Sequence, residues 1–186
     1  MEFKEETIKS DCIYKGKITE YWVDEVLLPN GKKSTRELVK HAGAVAIMPF
    51  TADGKMIFVK QFRKAIEKTI VEIPAGMIDK TDINPIETGK RELEEETGYQ
   101  AKVFELETSF YSSPGFSNEF LYIYRAEELT KIKYPLAQDE DEFIELITLS
   151  FEEAWEAYEK KIIIDAKTVF ALFYWKMKRQ IEQMNR

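Results

Sequence analysis

The sequence predicts an α/β protein: an α/β/α sandwich around a mixed sheet, preceded by a small N-terminal antiparallel β sheet. Three observations predict it. Short apolar runs bounded by turn residues recur between Ala44 and Ala75, which is the signature of buried strands. A sharply delimited helix follows from Pro85 to Thr97, and then more β-like segments at 101–111, 119–126 and 142–149. Two further helices, at about 151–160 and 165–183, close the chain. Mixed strands with few helices pack as layers about one core.

The elements follow in order. Residues 10–28 read as irregular β, with Tyr14, Ile18, Tyr21, Trp22 and Val26 as apolar positions. Pro29-Asn30-Gly31-Lys32 signals a turn, and 33–41 is a strand. A hairpin-like sheet of about 40 residues is marginal alone, so it must pack on the main domain or on a second chain. The predicted division is therefore 1–42 and 43–186. Ala44–Met48 is a continuous apolar strand, Thr51-Ala52-Asp53-Gly54 a turn, Met56–Gln61 a strand and Ile70–Ala75 another, which runs into Gly76. A loop at 77–84 leads to the helix. In the last helix Val169, Leu172, Phe173 and Trp175–Met177 form a core-facing pattern.

Composition narrows the function classes. The chain has 186 residues and a net charge of −7, with 44% hydrophobic and 33% charged residues, an ordinary globular balance. No run approaches the roughly 20 apolar residues of a membrane span. The polar N-terminus MEFKEETIKSD does not read as a signal peptide. No basic run points to nucleic acid. One cysteine, Cys12, excludes an intrachain disulfide framework and a cysteine-based zinc site, and a cytoplasmic location is expected. An acidic protein that takes an anionic substrate needs metal ions and well-placed arginines to offset its own field.

Chemistry concentrates in the first helix. Asn84 is a strong N-cap, Pro85 suits the first helical position, Glu87 stands where a capping box needs it, and Gly98 ends the helix. Within it lies Arg91-Glu92-Leu93-Glu94-Glu95-Glu96. Helical spacing gathers Glu92, Glu95 and Glu96 on one side, with Arg91 placed to brace Glu95 and Lys90 to pair with Glu94. Gly89, three before Glu92, is expected to leave room beside the carboxylates, while Ile86 and Leu93 face the core. Like charges so clustered repel, and cations would relieve them; oxygen ligands suit Mg²⁺ or Mn²⁺ rather than zinc. A solvated acidic helix face has the same composition.

The preceding segment, Val71-Glu72-Ile73-Pro74-Ala75-Gly76, supplies the context. Gly76 through Arg91-Glu92-Leu93-Glu94-Glu95-Glu96-Thr97-Gly98-Tyr99 resembles the Nudix box, G-x5-E-x7-R-E-U-x-E-E-x-G-U with U apolar. The second half matches fully. In the first half the spacing is one residue longer, and Asp82 stands where the pattern has glutamate. The resemblance extends to the ADP-ribose pyrophosphatase branch. It rests on Val59-Lys60-Gln61-Phe62-Arg63, on Arg36-Glu37-Leu38-Val39-Lys40-His41, on Ser112-Ser113-Pro114-Gly115-Phe116 and on the acidic stretch Asp139–Glu142. Pro114 lies fifteen residues after Tyr99, the spacing that marks the branch.

That resemblance implies Mg²⁺-dependent hydrolysis of ADP-ribose to AMP and ribose 5-phosphate, with Mn²⁺ able to substitute. It implies Glu92 and Glu96 as main metal ligands, Glu95 as a bridging or supporting one and the Ala75 carbonyl as another. It implies a base from a late loop: Glu140 first, Glu142 second. Arg63 would contact phosphate, Gly76 and Pro114 would line the site, and Arg36 and Glu37 would recognise adenine, with Tyr14 or Ile18 as an opposite wall. A surface ion pair for Arg63, a solvated loop for 138–142 and plain sheet packing for Tyr14 and Ile18 remain open. His41, the only histidine, reads as structural or as part of the substrate rim. The branch also implies a domain-swapped homodimer, with neither a nucleic-acid nor a membrane partner. Two other readings keep the fold: a pyrophosphatase for another nucleotide sugar such as GDP-mannose, and a non-catalytic ligand-sensing domain.

Overall fold

The computed structural model describes residues 3–79, 82, 84–137 and 143–184. It divides into two compact units, Met1–Ala44 with Phe110–Leu121, and Val45–Ser109 with Tyr122–Arg186.

The first unit is built on a three-stranded antiparallel sheet in the order β1 (Glu6–Lys15), β2 (Thr19–Leu27), β3 (Lys33–His41). The stretch read as irregular β is thus two strands. A turn at Gly16, whose N–H donates to the Thr19 carbonyl at 2.9 Å, separates them. Every residue of β1 is exposed, so the strand offers both faces and one edge to its surroundings. Residues 113–118 lie against β3: Val39 N donates to the Phe116 carbonyl at 2.8 Å, and His41 N donates to Asn118 Oδ1 at 2.8 Å.

The second unit is an α/β/α arrangement around mixed β structure, as expected. One sheet has the order β10 (Ile144–Leu149), β5 (Met56–Arg63), β6 (Lys68–Glu72), all antiparallel neighbours. The other has the order β7 (Ala75–Met77), β4 (Ala44–Pro49), β9 (Phe120–Lys131), β8 (Tyr99–Tyr111). Val45 to Met48 are fully buried, which is why β4 reads as an unbroken apolar run. Helix α1 (Pro85–Thr97) places Leu93 against Val45, Ile47, Tyr124 and Ala126, with Ile86 beside them.

Helices α2 (Phe151–Glu159) and α3 (Ala166–Met184) complete the unit. Trp175 of α3 meets Phe50 and Phe151 edge-on, with centroids at 5.4 and 5.3 Å. Ser150 and Glu153 form a reciprocal capping box at the start of α2. Among the described residues no helix is long and apolar enough to cross a membrane.

Candidate active site

Helix α1 begins where local chemistry demands. The Asn84 side chain accepts from Glu87 N at 3.1 Å, Pro85 opens the helix, and Gly98 closes it at φ 70°. The Glu87 carboxylate turns to Lys90 at 3.7 Å, so the expected Lys90–Glu94 pair gives way; Glu94 Oε1 accepts from Leu136 N at 3.0 Å.

Two of the three clustered glutamates are buried: Glu92 is 8% and Glu96 2% exposed. Glu96 Oε2 accepts from Ala75 N at 3.1 Å, tying the carboxylate helix to β7. Glu92 lies over Gly76. A Cβ placed on Gly76 would sit 2.0 Å from Glu92 Cδ and 2.1 Å from Oε1. Gly76 is not among the positive-φ glycines, so its missing side chain serves the close approach of Glu92 and not backbone conformation.

Arg91 binds this cluster together. Its Nη1 lies 2.9 Å from Glu92 Oε1 and 2.7 Å from Glu95 Oε2, and its Nη2 reaches Asp82 at 3.3 Å. Burial opposes the charge on Arg91, but Glu92 and Glu95 outweigh it and keep the guanidinium firmly protonated. Asp82, at the mid-loop position of the box, accepts from Thr88 Oγ1 at 2.8 Å and from Asp79 N at 3.1 Å. It fastens the loop to the helix, a structural use that the one-residue insertion had obscured. The room expected at Gly89 is absent: a Cβ there would meet Phe104 Cζ at 2.9 Å and Tyr124 Cδ2 at 3.5 Å. Gly89 thus faces the aromatic core, not the carboxylates, and admits the stacked pair Phe104–Tyr124, with centroids 5.0 Å apart.

Arg63, at the end of β5, is engaged with a carboxylate. Its Nε donates to Glu72 Oε1 at 2.6 Å and its Nη2 to Glu72 Oε2 at 3.0 Å. Lys167 takes Glu72 Oε2 as well. Burial alone would raise the Glu72 carboxyl, yet Arg63 and Lys167 hold it below its ordinary value. Nothing local marks Lys167, which is 95 residues from its partner.

Arg36, Glu37, Tyr14, Ile18, Pro114 and His41 lie in the first unit. Arg36 donates from Nε to Glu5 Oε2 at 2.8 Å and from Nη1 to the Thr35 carbonyl at 2.9 Å. These bonds occupy the rim of the guanidinium and not its flat face. Glu37 accepts from the Tyr21 hydroxyl. Tyr14 and Ile18 are exposed, and Pro114 lines a cavity of about 240 Å³ with Leu38, Val39, Lys40 and Phe116. His41 Nδ1 accepts from Gly43 N at 3.1 Å and lies 3.7 Å from Glu119, a structural setting. Glu140 and Glu142 lie outside the described residues.

The donors fit a hard cation in kind: carboxylate oxygens of Glu92 and Glu96 beside the backbone of Ala75, shielded from bulk water. Among the described residues no three carboxylates, histidines or cysteines converge on one point as a finished cage. Glu95 is instead held by Arg91.

The site is thus a buried carboxylate helix seated on a strand-to-glycine turn inside an α/β/α sandwich. The NUDIX domain pattern matches residues 40–173. The chain is 47% identical to an ADP-ribose pyrophosphatase of Bacillus subtilis over 96% of both chains. It is 44% identical to a methanol dehydrogenase activator of Bacillus methanolicus over 97% of both. Its fold matches a structure described as an ADP compounds hydrolase, with TM-score 0.83 and 19% identity over 98% of both chains. The chain belongs to the Nudix hydrolase family, whose members depend on divalent metal.

Proposed function

We propose that this chain hydrolyses the diphosphate of ADP-ribose, adding water across the P–O–P linkage to release AMP and ribose 5-phosphate, with Mg²⁺ as the working cation and Mn²⁺ as a substitute. The observation that carries the reading is the bare Cα of Gly76 beneath the Glu92 carboxylate, next to a buried Glu96 pinned to Ala75 N. The identity to the Bacillus subtilis pyrophosphatase along almost the whole chain supports the substrate.

In this reading Glu92, Glu96 and the Ala75 carbonyl hold the cation, and Glu95 supports them through Arg91. A divalent cation held there would supply charge to neutralise the diphosphate and acidity for a bound water. Arg63 offers guanidinium N–H groups to phosphate oxygens: Nε and Nη2 each give one N–H to Glu72, and the side chain is partly exposed. Glu140, with Glu142 next, takes the proton of the water. The flat face of Arg36 stacks on adenine, Glu37 accepts from the exocyclic amine, Tyr14 forms the opposite wall, and Pro114 borders the site.

Residues 1–42 serve dimerisation and adenine contacts, and 43–186 carry the chemistry. The fully exposed β1 supports a domain-swapped homodimer, since a ten-residue edge strand without cover favours pairing with a second copy. The enzyme works in the cytoplasm.

The test is a substrate panel in Mg²⁺, with AMP detected as product and GDP-mannose as the competing substrate. ADP-ribose turnover that stops on chelation and returns with Mg²⁺ is expected. Faster cleavage of GDP-mannose, or turnover unaffected by chelation, overturns the reading.

A further inference from the structure

The start of helix α3 is tied to the end of β6 and to the link that runs on to Ala75 and Gly76. Asp165 Oδ2 accepts from Thr168 N at 3.2 Å, which caps α3, and from Lys167 Nζ at 2.9 Å. Lys167 in turn reaches Glu72, and Thr168 Oγ1 accepts from Ile73 N at 2.9 Å. Two consecutive residues of α3 therefore grip Glu72, the last residue of β6, and Ile73, the first residue of the link to β7. Ala75, whose N–H holds Glu96, follows two positions later.

The charges are unequal in their setting. Glu72 is 1% exposed and the Lys167 side chain 14%, whereas the Arg63 side chain is 41% exposed. A buried carboxylate with a single partner would consume that partner's charge. Here two cations share one carboxylate. The balancing charge, Asp165, sits at a helix N-terminus, where amide dipoles take up part of it. The four groups balance overall, but Lys167 takes up part of the Glu72 charge that would otherwise fall wholly on Arg63, the exposed member.

We infer that Lys167, fixed by Asp165, is a positioning residue for the diphosphate: by sharing Glu72 it leaves Arg63 with charge to offer an anion, and it holds the Glu72–Gly76 segment in register with Glu92 and Glu96. This rests on the function proposed above. The geometry asks for a cation at 167 and not for a reacting group.

The experiment compares wild type, Lys167→Met, Lys167→Arg and Asp165→Asn. Each is assayed for ADP-ribose hydrolysis in Mg²⁺, for binding of inorganic pyrophosphate in Mg²⁺ by calorimetry, and for thermal unfolding. For Lys167→Met, KM rises about tenfold with kcat within about threefold, and pyrophosphate affinity falls by a similar factor. Lys167→Arg restores both to within about twofold of wild type, and Asp165→Asn, which frees Lys167 without removing it, lies between.

If Lys167→Met does not fold, the Arg and Asp165→Asn arms carry the same comparison. Unchanged KM and pyrophosphate affinity, a loss confined to kcat, or lowered stability without a binding change overturns the inference. A wild type that binds pyrophosphate but leaves ADP-ribose intact overturns the proposed function alone, and the pyrophosphate series still decides the role of Lys167. A wild type that does neither overturns both.

Discussion

Replacing Gly76 with alanine should silence the enzyme while sparing the fold. The added Cβ would lie 2.0 Å from Glu92 Cδ. Ordinary contact begins near 3.4 Å, so the carboxylate must retreat by about 1.4 Å. Gly76 has no positive φ, so alanine is under no backbone strain there and gains about 0.4–1 kcal/mol from a less disordered unfolded chain. The clash falls on the flexible end of a side chain, so the packing cost of about 1–3 kcal/mol is at the low end and the net change is small. Catalysis is less forgiving: a misplacement of about 1 Å can cost on the order of 10²-fold.

Gly89→Ala is the matched control. Its Cβ would meet Phe104 at 2.9 Å inside the core. The helix-propensity gain of about 1 kcal/mol is then offset by overpacking. Activity should stay near wild type while the melting temperature falls or holds. Both variants are compared by AMP release and thermal unfolding. A Gly76→Ala enzyme with wild-type kcat/KM would refute the reasoning, because the Glu92 carboxylate would then not need its place above residue 76.

Glu96→Gln keeps an oxygen for Ala75 N but loses the charge, so turnover should fall by at least about 10³-fold with little change in unfolding temperature; equal losses would mark Glu96 as structural. Glu72 has a lowered folded-state pKa, so it adds stability above its unfolded value near 4.3, and that stability is lost as pH falls through the lower folded value. Urea unfolding across pH 3–6 should therefore show a smaller acid loss in Glu72→Gln than in wild type, and parallel curves would contradict the assignment. Glu140→Gln should lower kcat about 10²-fold or more while ADP-ribose affinity by calorimetry is nearly kept; an unchanged rate moves the base to Glu142.

What the sequence revealed was local. The ends of α1 follow from Asn84, Pro85 and Gly98, each acting within a few residues of itself. The pairing of Arg91 with Glu95 follows from helical spacing. The buried run at β4 needs only hydropathy. What escaped was contact across the chain. Gly76 and Gly89 look alike in sequence, yet Gly76 admits a carboxylate and Gly89 admits Phe104, fifteen positions further on. Lys167 reads as one more charge on a helix until it meets Glu72. Residues 10–28 hid a strand boundary because Gly16 sits in an evenly mixed stretch, with no apolar alternation to mark where one strand stops.

The Arg91 clasp on Glu92 and Glu95 has a consequence for how the enzyme is stored and started. The protein brings its own counter-ion to the acidic cluster, so folding does not wait for a dissolved one. A chelated sample should be a quiescent, correctly built molecule, and adding back the ion should restore the rate within mixing time, with no refolding lag. Metal supply would then act as a throttle on turnover, separate from the synthesis and survival of the chain.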